Sequence, residues 1–127
     1  MQATSDKTFE DLGLNQHALK AVARAGYETP SPIQAELIPV ALTGKDCIGQ
    51  ARTGTGKTAA FMLPSMERID PRRPGVQVLV LAPTRELSEQ VVIESKKLCG
   101  GRLKIGIAVG GRPIHSQIKA LQDGVHV

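Results

Sequence analysis

The feature that most constrains this chain is a glycine-rich loop, Ala51-Arg52-Thr53-Gly54-Thr55-Gly56-Lys57-Thr58. A short apolar segment, Cys47-Ile48, leads into the loop, and an apolar run that begins Ala59-Ala60-Phe61 follows it. The order strand, glycine-rich loop, helix is that of a phosphate-binding loop with the pattern G-x-x-x-x-G-K-[ST]. This chain has Ala51 where the first glycine of the pattern would stand. The sequence therefore predicts a phosphate-binding loop with one departure from the general pattern.

The residue types in the loop match the demands of a bound triphosphate. Glycine lacks a Cβ, so the backbone at Gly54 and Gly56 can adopt positive φ and bring amides close to phosphate oxygens. The following helix presents unsatisfied N–H groups and the positive end of its dipole to the same anion. Lys57 can reach the β- and γ-phosphates, and the Thr58 hydroxyl is placed to ligate Mg²⁺. A glycine turn with a surface lysine is the alternative, but the preceding strand and the second glycine favour phosphate binding.

Composition excludes several classes of protein. A chain of 127 residues suits one domain and leaves no room for a second. Its 41% hydrophobic and 22% charged residues are typical of a soluble globular domain and disfavour disorder. The longest apolar runs are far shorter than the roughly 20 residues of a membrane-spanning helix. The polar start, Met1 to Thr8, shows no secretory signal, so a cytoplasmic location is predicted.

Charge and aromatic content bear on the kind of partner. The net charge of +4 and the pI near 9.3 suit a polyanionic partner, but a mildly basic solvated surface explains them equally well. Aromatic residues make up only 2% of the chain, which excludes a broad platform for base stacking. Cys47 and Cys99 match no metal-binding spacing and are expected to be buried free thiols.

The hydrophobic pattern predicts alternating strands and helices. Helices are predicted at residues 16–25, 32–42, 85–98, from about 113 to 123, and from the end of the phosphate loop to about 69, where Pro64 should bend or break the helix. Strands are predicted at residues 46–49, 76–81, 104–109 and 125–127. The continuous apolar run Val76–Leu81 is typical of a strand buried on both faces of a parallel sheet. This alternation predicts an α/β domain with a doubly wound, mostly parallel sheet.

The pattern also predicts which helical side chains are buried. In the helix at residues 85–98, the core positions are Leu87, Val91 and Leu98. The last predicted helix places Ile114, Ile118 and Leu121 on one face.

A second informative stretch is Gly26–Gln34, with Phe9 upstream. The Gln34 amide carries an acceptor and two donors, which can pair with the amino group and ring nitrogen on one edge of adenine, and guanine presents the wrong pattern. Phe9 or Tyr27 could stack on the purine face. However, Ser31–Gln34 is also a capping box with proline at the first helical position. The residues alone leave both interpretations open.

Two further stretches place a cation at the start of a predicted helix. In Pro83-Thr84-Arg85, Thr84 is a suitable N-cap, whereas Arg85 in the first turn opposes the helix dipole. Such a cation suggests contact with an external phosphate, as in a nucleic-acid backbone. An incidental exposed arginine is the alternative. Gly110-Gly111-Arg112 again sets backbone amides beside a cation.

Together these stretches resemble the DEAD-box RNA helicase family. Phe9 with Gly26–Gln34 is similar to the family's adenine-recognising Q motif. Ala51–Thr58 is similar to its motif I, in which alanine is usual at the first position. Pro83–Leu87 resembles motif Ia, and Gly110-Gly111 resembles the glycine pair that contacts the RNA backbone. The resemblance runs from Phe9 to the last residue and includes four motifs in the family's order.

The resemblance implies a RecA-like domain that uses ATP and Mg²⁺ and grips RNA through its backbone without reading sequence. Lys57 and Thr58 would be catalytic, and Thr58 would also hold Mg²⁺. The implied nucleotide contacts are Phe9, Tyr27, Thr29, Gln34, Ala51, Arg52, Thr53, Gly54, Thr55, Gly56, Lys57 and Thr58. The implied RNA contacts are Pro83, Thr84, Arg85, Gly110, Gly111 and Arg112. No membrane partner is expected.

Other family elements have no counterpart in this sequence. It contains no Asp-Glu-Ala-Asp run, no Ser-Ala-Thr motif and no second domain with an arginine finger. The chain is therefore expected to be part of the first RecA-like domain, truncated before the DEAD motif, with little ATP turnover. Its expected parts are a flexible N-terminus at residues 1–8, a Q-motif region at 9–34 and a partial ATP-binding domain at 35–127. The alternatives are a non-catalytic nucleotide- or RNA-binding module and another P-loop NTPase, such as a small-molecule kinase.

Overall fold

The computed structural model describes residues 6–127, which contain helices but no regular β-strand. The chain forms two compact units, one up to Arg68 and one at Ile69–Val127. Most of the predicted flexible N-terminus, residues 1–5, lies outside the described residues. The helices are α1 (Gln16–Arg24), α2 (Pro32–Leu42), α3 (Lys57–Glu67), α4 (Arg85–Cys99) and α5 (Ile114–Asp123), with a 3-10 helix at Phe9–Leu12.

The first unit begins with well-capped helices. The Asp11 carboxylate accepts hydrogen bonds from the backbone N–H of Thr8 at 2.8 Å and from its hydroxyl at 3.0 Å, which closes the start of the 3-10 helix. The Asn15 side chain accepts the Ala18 N–H at 2.9 Å and caps α1. This short-range cap from Asn15 explains why the start of α1 is predictable from the sequence.

The core of the first unit lies where α2 packs on α3. Ile38 on α2 and Met62 and Leu63 on α3 are completely buried. The apolar residues that follow the phosphate loop therefore anchor α3, and with it the loop that precedes it. Pro64 does not break α3, which continues to Glu67, so the predicted break is wrong. Pro64 itself is buried, so packing of its ring offsets part of the cost of the hydrogen bond that a proline removes.

The second unit contains α4 and α5. The Thr84 hydroxyl accepts the Leu87 N–H at 3.2 Å and caps α4, as predicted. At the other end of α4, Leu98 and Cys99 are buried. Cys99 is thus buried as predicted, whereas Cys47 is exposed, so its predicted burial is wrong. Leu87 is instead 40% exposed, so its predicted core position is wrong.

The apolar face of α5 is uncovered. Ile114, Ile118 and Leu121 are 65%, 43% and 50% exposed, and α5 has no buried residue. The three residues predicted to share a face are therefore exposed rather than buried. Helical periodicity places these side chains on one face, but burial needs a second element to cover that face.

The predicted sheet is not formed within residues 6–127, although one group of backbone bonds links its segments. The amides of Gln77 and Val78 donate to the carbonyl of His126 at 2.9 and 3.1 Å. The amides of His126 and Val127 donate to the carbonyl of Lys104 at 2.8 and 3.3 Å, and the Gly106 amide donates to that of Val127 at 2.9 Å. The segment at residues 125–127 is thus bonded on both sides.

Burial of the predicted strands also differs from expectation. In the run predicted to be covered on both faces, Val76, Leu79 and Leu81 are 54%, 77% and 85% exposed. Ile48, which precedes the phosphate loop, is fully exposed. A parallel strand needs a neighbouring strand along its length and helices on both faces, and the described residues supply only the short bonded segment. No helix in residues 6–127 combines the length and apolar character needed to cross a bilayer.

Acid should destabilise both units through Asp11 and Asp70. The pKa of Asp11 is lowered chiefly by the backbone N–H of Thr8, and that of Asp70 chiefly by the backbone N–H of Arg72. A lowered carboxyl pKa stabilises the fold above the unfolded value, near 3.8, and this contribution is lost as the pH falls through the folded-state pKa. We expect the urea midpoint to fall below about pH 4, and the fall to be smaller in Asp11→Asn and Asp70→Asn. An equally steep fall in both variants would contradict this assignment.

Candidate nucleotide site and nucleic-acid interface

The loop in the first unit has the backbone shape that its glycines predict. Gly54 and Gly56 have φ of +82° and +81°, and Gly56 is the residue immediately before α3. Only glycine adopts this left-handed conformation without strain. The N–H groups of the first turn of α3, which have no partner within the helix, therefore lie immediately after the curled loop.

Side chains in the loop make contacts within it. The Lys57 ammonium donates to the carbonyl of Ala51 at 2.8 Å, and the Thr55 hydroxyl donates to the carbonyl of Arg52 at 2.6 Å. Lys57 is exposed, as are Arg52 and Thr53. This bond from Lys57 therefore connects the start of α3 with Ala51, the first residue of the loop.

Gln34 connects α2 to the loop. Its side chain is buried, its Oε1 accepts the Ser31 N–H at 2.9 Å, and its Nε2 donates to the carbonyl of Gly56 at 3.1 Å. The bond to Ser31 is the one expected of a capping glutamine. The bond to Gly56 is a contact that the capping interpretation does not require. It places the predicted adenine-reading amide at the end of the phosphate loop.

The two aromatic candidates differ in exposure. Phe9 is 3% exposed and belongs to the core, whereas Tyr27 is half-buried. Their ring centroids are 6.3 Å apart with an interplanar angle of 80°, an edge-to-face arrangement. Phe9 therefore supports the Tyr27 ring from the inside, and Tyr27 has more of its surface accessible to a base. Thr29, also a predicted nucleotide contact, is exposed nearby in sequence.

The residues present fit Mg²⁺ only as a partner of bound phosphates. No group of three or more His, Cys, Asp or Glu side chains that could hold a metal occurs among residues 6–127. Thr58, a half-buried residue in the first turn of α3, offers a hydroxyl. Because Mg²⁺ keeps several waters and takes further oxygens from phosphates, one protein hydroxyl is a sufficient ligand.

In the second unit, Arg85 lies against the glycine pair. A Cβ built on Gly111, which has φ of +80°, would lie 2.7 Å from Arg85 Nη1, so the guanidinium fills the space that a side chain would need. Arg85 is exposed, and so are Pro83 and Thr84 beside it. The structure therefore brings together two predicted RNA-binding stretches that are separated by about 25 residues in the sequence.

Arg112 is engaged differently. Its Nη2 lies 2.5 Å from Oε1 of Glu89 on α4, and the two side chains are 47% and 41% exposed. An anion that binds Arg112 must compete with this carboxylate. Sequence reasoning missed Glu89 as the partner, and it also missed Gln117 on α5, whose amide bonds to both Val109 and Arg112. Neither residue lies in a motif, so the sequence carries no signal for them.

Comparisons with known proteins show the family of this chain. The family model described as DEAD/DEAH box helicase matches residues 31–127, so the chain belongs to the DEAD/DEAH box helicase family. The chain is 49% identical over 121 residues to the DEAD-box ATP-dependent RNA helicase CshA of Geobacillus kaustophilus, covering 94% of this chain and 26% of that protein. It is 47% identical to the ATP-dependent RNA helicase DHH1 of Chaetomium globosum, covering 98% of this chain and 24% of that protein.

Solved structures show the same similarity in three dimensions. A DEAD box protein from the hyperthermophile Methanococcus jannaschii superposes with a TM-score of 0.83 and 41% identity, covering 90% of this chain and 32% of that one. The RNA helicase Prp28 from Chaetomium thermophilum, bound to ADP, superposes with a TM-score of 0.81 and 41% identity, covering 93% and 30%. These matches confirm the predicted similarity to DEAD-box helicase domains, but they do not confirm the predicted sheet. The chain spans about a quarter of the length of the curated relatives described above.

Proposed function

We propose that this chain is the part of a DEAD-box ATP-dependent RNA helicase that holds ATP and contacts RNA. The observation that carries the proposal is the bond from Gln34 Nε2 to the Gly56 carbonyl, at 3.1 Å. It joins a candidate base-reading amide to the phosphate loop within one compact unit. A surface glycine turn with an incidental lysine would need no such connection.

Each part of the first unit has a role in nucleotide binding. The curled backbone at Gly54 and Gly56 and the first turn of α3 supply amide donors for phosphate oxygens. Lys57 supplies a positive charge beside the same oxygens, and Gln34 reads the adenine edge while Tyr27 covers the base. Mg²⁺, held by Thr58 and the phosphates, would neutralise charge on the phosphate oxygens.

The second unit supplies the RNA contact. Arg85 and the backbone of Gly110–Gly111 form one exposed surface of a cation and amides, which suits a phosphate of the RNA backbone. Such a surface recognises the backbone and carries no information about base sequence. Sequence-independent gripping of a strand is what a duplex-remodelling enzyme requires.

ATP hydrolysis and unwinding belong to the proposed whole protein. In this sequence no Asp-Glu-Ala-Asp run is present to orient an attacking water, so we propose that the chain binds nucleotide but turns it over slowly. Residues 9–34 form the Q-motif region and residues 35–127 the partial ATP-binding domain. We also propose that the segments at residues 76–81, 104–109 and 125–127 are strands of a mostly parallel sheet in the longer protein. A cytoplasmic location stays a prediction.

The test is the base preference of the unsubstituted chain and of Gln34→Ala. We expect ADP to bind roughly 10-fold more tightly than GDP, because a bidentate amide contact to the base contributes about 1–3 kcal/mol of discrimination. Gln34→Ala should remove most of this preference. Fluorescent analogues of the two nucleotides measure both affinities in one titration format.

Gln16→Ala is the matched control, because Gln16 is an exposed glutamine of the same unit. It should leave the preference unchanged. If guanine nucleotides bind as tightly as adenine nucleotides and Gln34→Ala changes neither affinity, the chain is another P-loop NTPase. If RNA binds and no adenine nucleotide does, it is a non-catalytic RNA-binding module.

A further inference from the structure

We propose that Gln117 is a positioning residue that holds the Gly110–Gly111 turn in the shape that contacts RNA phosphate. This inference rests on the proposed function and adds to it a residue that none of the four motifs contains. Gln117 touches no phosphate itself. It acts through the backbone of the turn.

The Gln117 amide uses both of its ends on this turn. Its Oε1 accepts the Val109 N–H at 2.8 Å, and its Nε2 donates to the Val109 carbonyl at 3.1 Å and to the Arg112 carbonyl at 3.2 Å. Val109 and Arg112 are the residues immediately before and after the glycine pair. One side chain therefore fixes both ends of the turn, and only an amide supplies an acceptor and donors at this distance.

Apolar packing does not provide this link. None of the α5 residues is buried, and its large apolar side chains are exposed. Gln117 is half-buried, whereas its neighbours Ser116 and Ile118 are exposed. The three hydrogen bonds are thus the specific connection that the structure shows between α5 and the turn.

The turn presents donors that its own structure does not use. Among residues 6–127, the Gly110 and Gly111 amides make no backbone hydrogen bond, and Arg85 lies directly against Gly111. Amides in a left-handed turn beside a cation form an anion-binding concavity. Holding this shape in advance removes the ordering cost that a free loop would meet on binding.

The experiment measures binding of a single-stranded RNA oligonucleotide to the 127-residue chain and its variants by fluorescence anisotropy at several salt concentrations. Gln117→Ala and Gln117→Leu both remove the amide, and leucine keeps much of its volume. Both should bind RNA about 3- to 10-fold more weakly, equal to about 0.7–1.4 kcal/mol. Gln122→Ala, an exposed glutamine of the same helix, is the matched control and should bind like the unsubstituted chain.

Salt dependence separates positioning from direct charge contact. Gln117 carries no charge, so its variants should keep the slope of log affinity against log salt. Arg85→Ala should reduce that slope by about one, because one phosphate contact is lost. Amide hydrogen exchange at Val109 should become faster in both Gln117 variants, and adenine-nucleotide affinity should not change.

Three results would overturn the inference. One is unchanged RNA affinity in both Gln117 variants while the unsubstituted chain binds RNA. Another is an equal loss in Gln122→Ala, which would assign the effect to α5 as a whole. The third is a chain that binds no RNA, which would also reject the proposed RNA contact, whereas the first two results leave that contact standing.

Discussion

Lys57→Ala is expected to weaken the binding of adenine nucleotides by about 10- to 100-fold, the largest effect on binding in the chain. A hydrogen bond between a charged donor and a phosphate contributes about 1.5–3 kcal/mol, and the amides at the start of α3 cannot replace the lost charge. Lys57 is exposed, and its bond to the carbonyl of Ala51 lies within the loop. Removal of the Lys57 side chain should therefore lower the affinity for nucleotide without unfolding the helices. Calorimetric titration with ADP measures the affinity, and circular dichroism checks the helices.

Lys45→Ala is the control for this prediction. Lys45 is an exposed lysine in the same unit, so its removal changes the net charge equally. We expect less than about a twofold change in ADP affinity, because interactions between exposed charges are screened by salt. Equal losses in the two variants would mean that Lys57 acts through general charge, and the phosphate-loop assignment would then be wrong.

Gly56→Ala is expected to lower the free energy of unfolding by about 2–3 kcal/mol, from backbone strain and a lost hydrogen bond. Gly56 has φ of +81°, and a Cβ there would lie within clashing distance of the buried Gln34 amide. Gln34 cannot move away without leaving its bond to the Gly56 carbonyl. Nucleotide affinity should fall in the same variant. Urea denaturation followed by circular dichroism gives the stability change.

Gly54→Ala separates strain from the clash with Gln34. Gly54 has φ of +82°, but a Cβ added to it would meet no other atom within 4 Å. Gly54→Ala should therefore lower the free energy of unfolding by about 1 kcal/mol, from backbone strain alone. If Gly54→Ala destabilises the protein as much as Gly56→Ala, then the contact between Gln34 and the loop contributes nothing measurable to stability.

Helices were predictable from the sequence because their ends are set locally. The predicted bounds of α2, Pro32 to Leu42, match the structure, with proline at the first position and Ser31 before it. Asn15 caps α1 through a bond only three residues long. A cap, a proline and a glycine act over one turn, so the residues themselves contain the information.

Burial was less predictable, because it depends on what covers a residue. The sequence pattern correctly places Leu98 in the core but also assigns Leu87 there, and Leu87 is 40% exposed. The pattern also groups Ile114, Ile118 and Leu121 on one face of α5, but these side chains are exposed. Periodicity identifies residues that share a face, whereas coverage is a property of the packed layers.

In the candidate sites too, local features are predictable from the sequence, whereas contacts between residues far apart in the sequence are not. The left-handed glycines of the phosphate loop follow from residue type, and so does the short bond between Gln34 and Ser31. The bond from Gln34 to Gly56 spans 22 residues, and no spacing rule predicts it. Gln117 and Glu89 were missed for the same reason, since each acts on a backbone or side chain that only the fold brings near.

The run Val76–Leu81, in which Val76, Leu79 and Leu81 are exposed, has a practical consequence for handling the protein. It is rich in valine and leucine and carries no charge or proline, and its bonds to the backbone of His126 come from Gln77 and Val78 at one end. Such a segment is a template for cross-β stacking between molecules. Concentrated solutions should therefore form intermolecular fibrils that bind thioflavin. Placing a lysine at Leu79, the middle of the run, should delay them by adding charge repulsion between stacked copies.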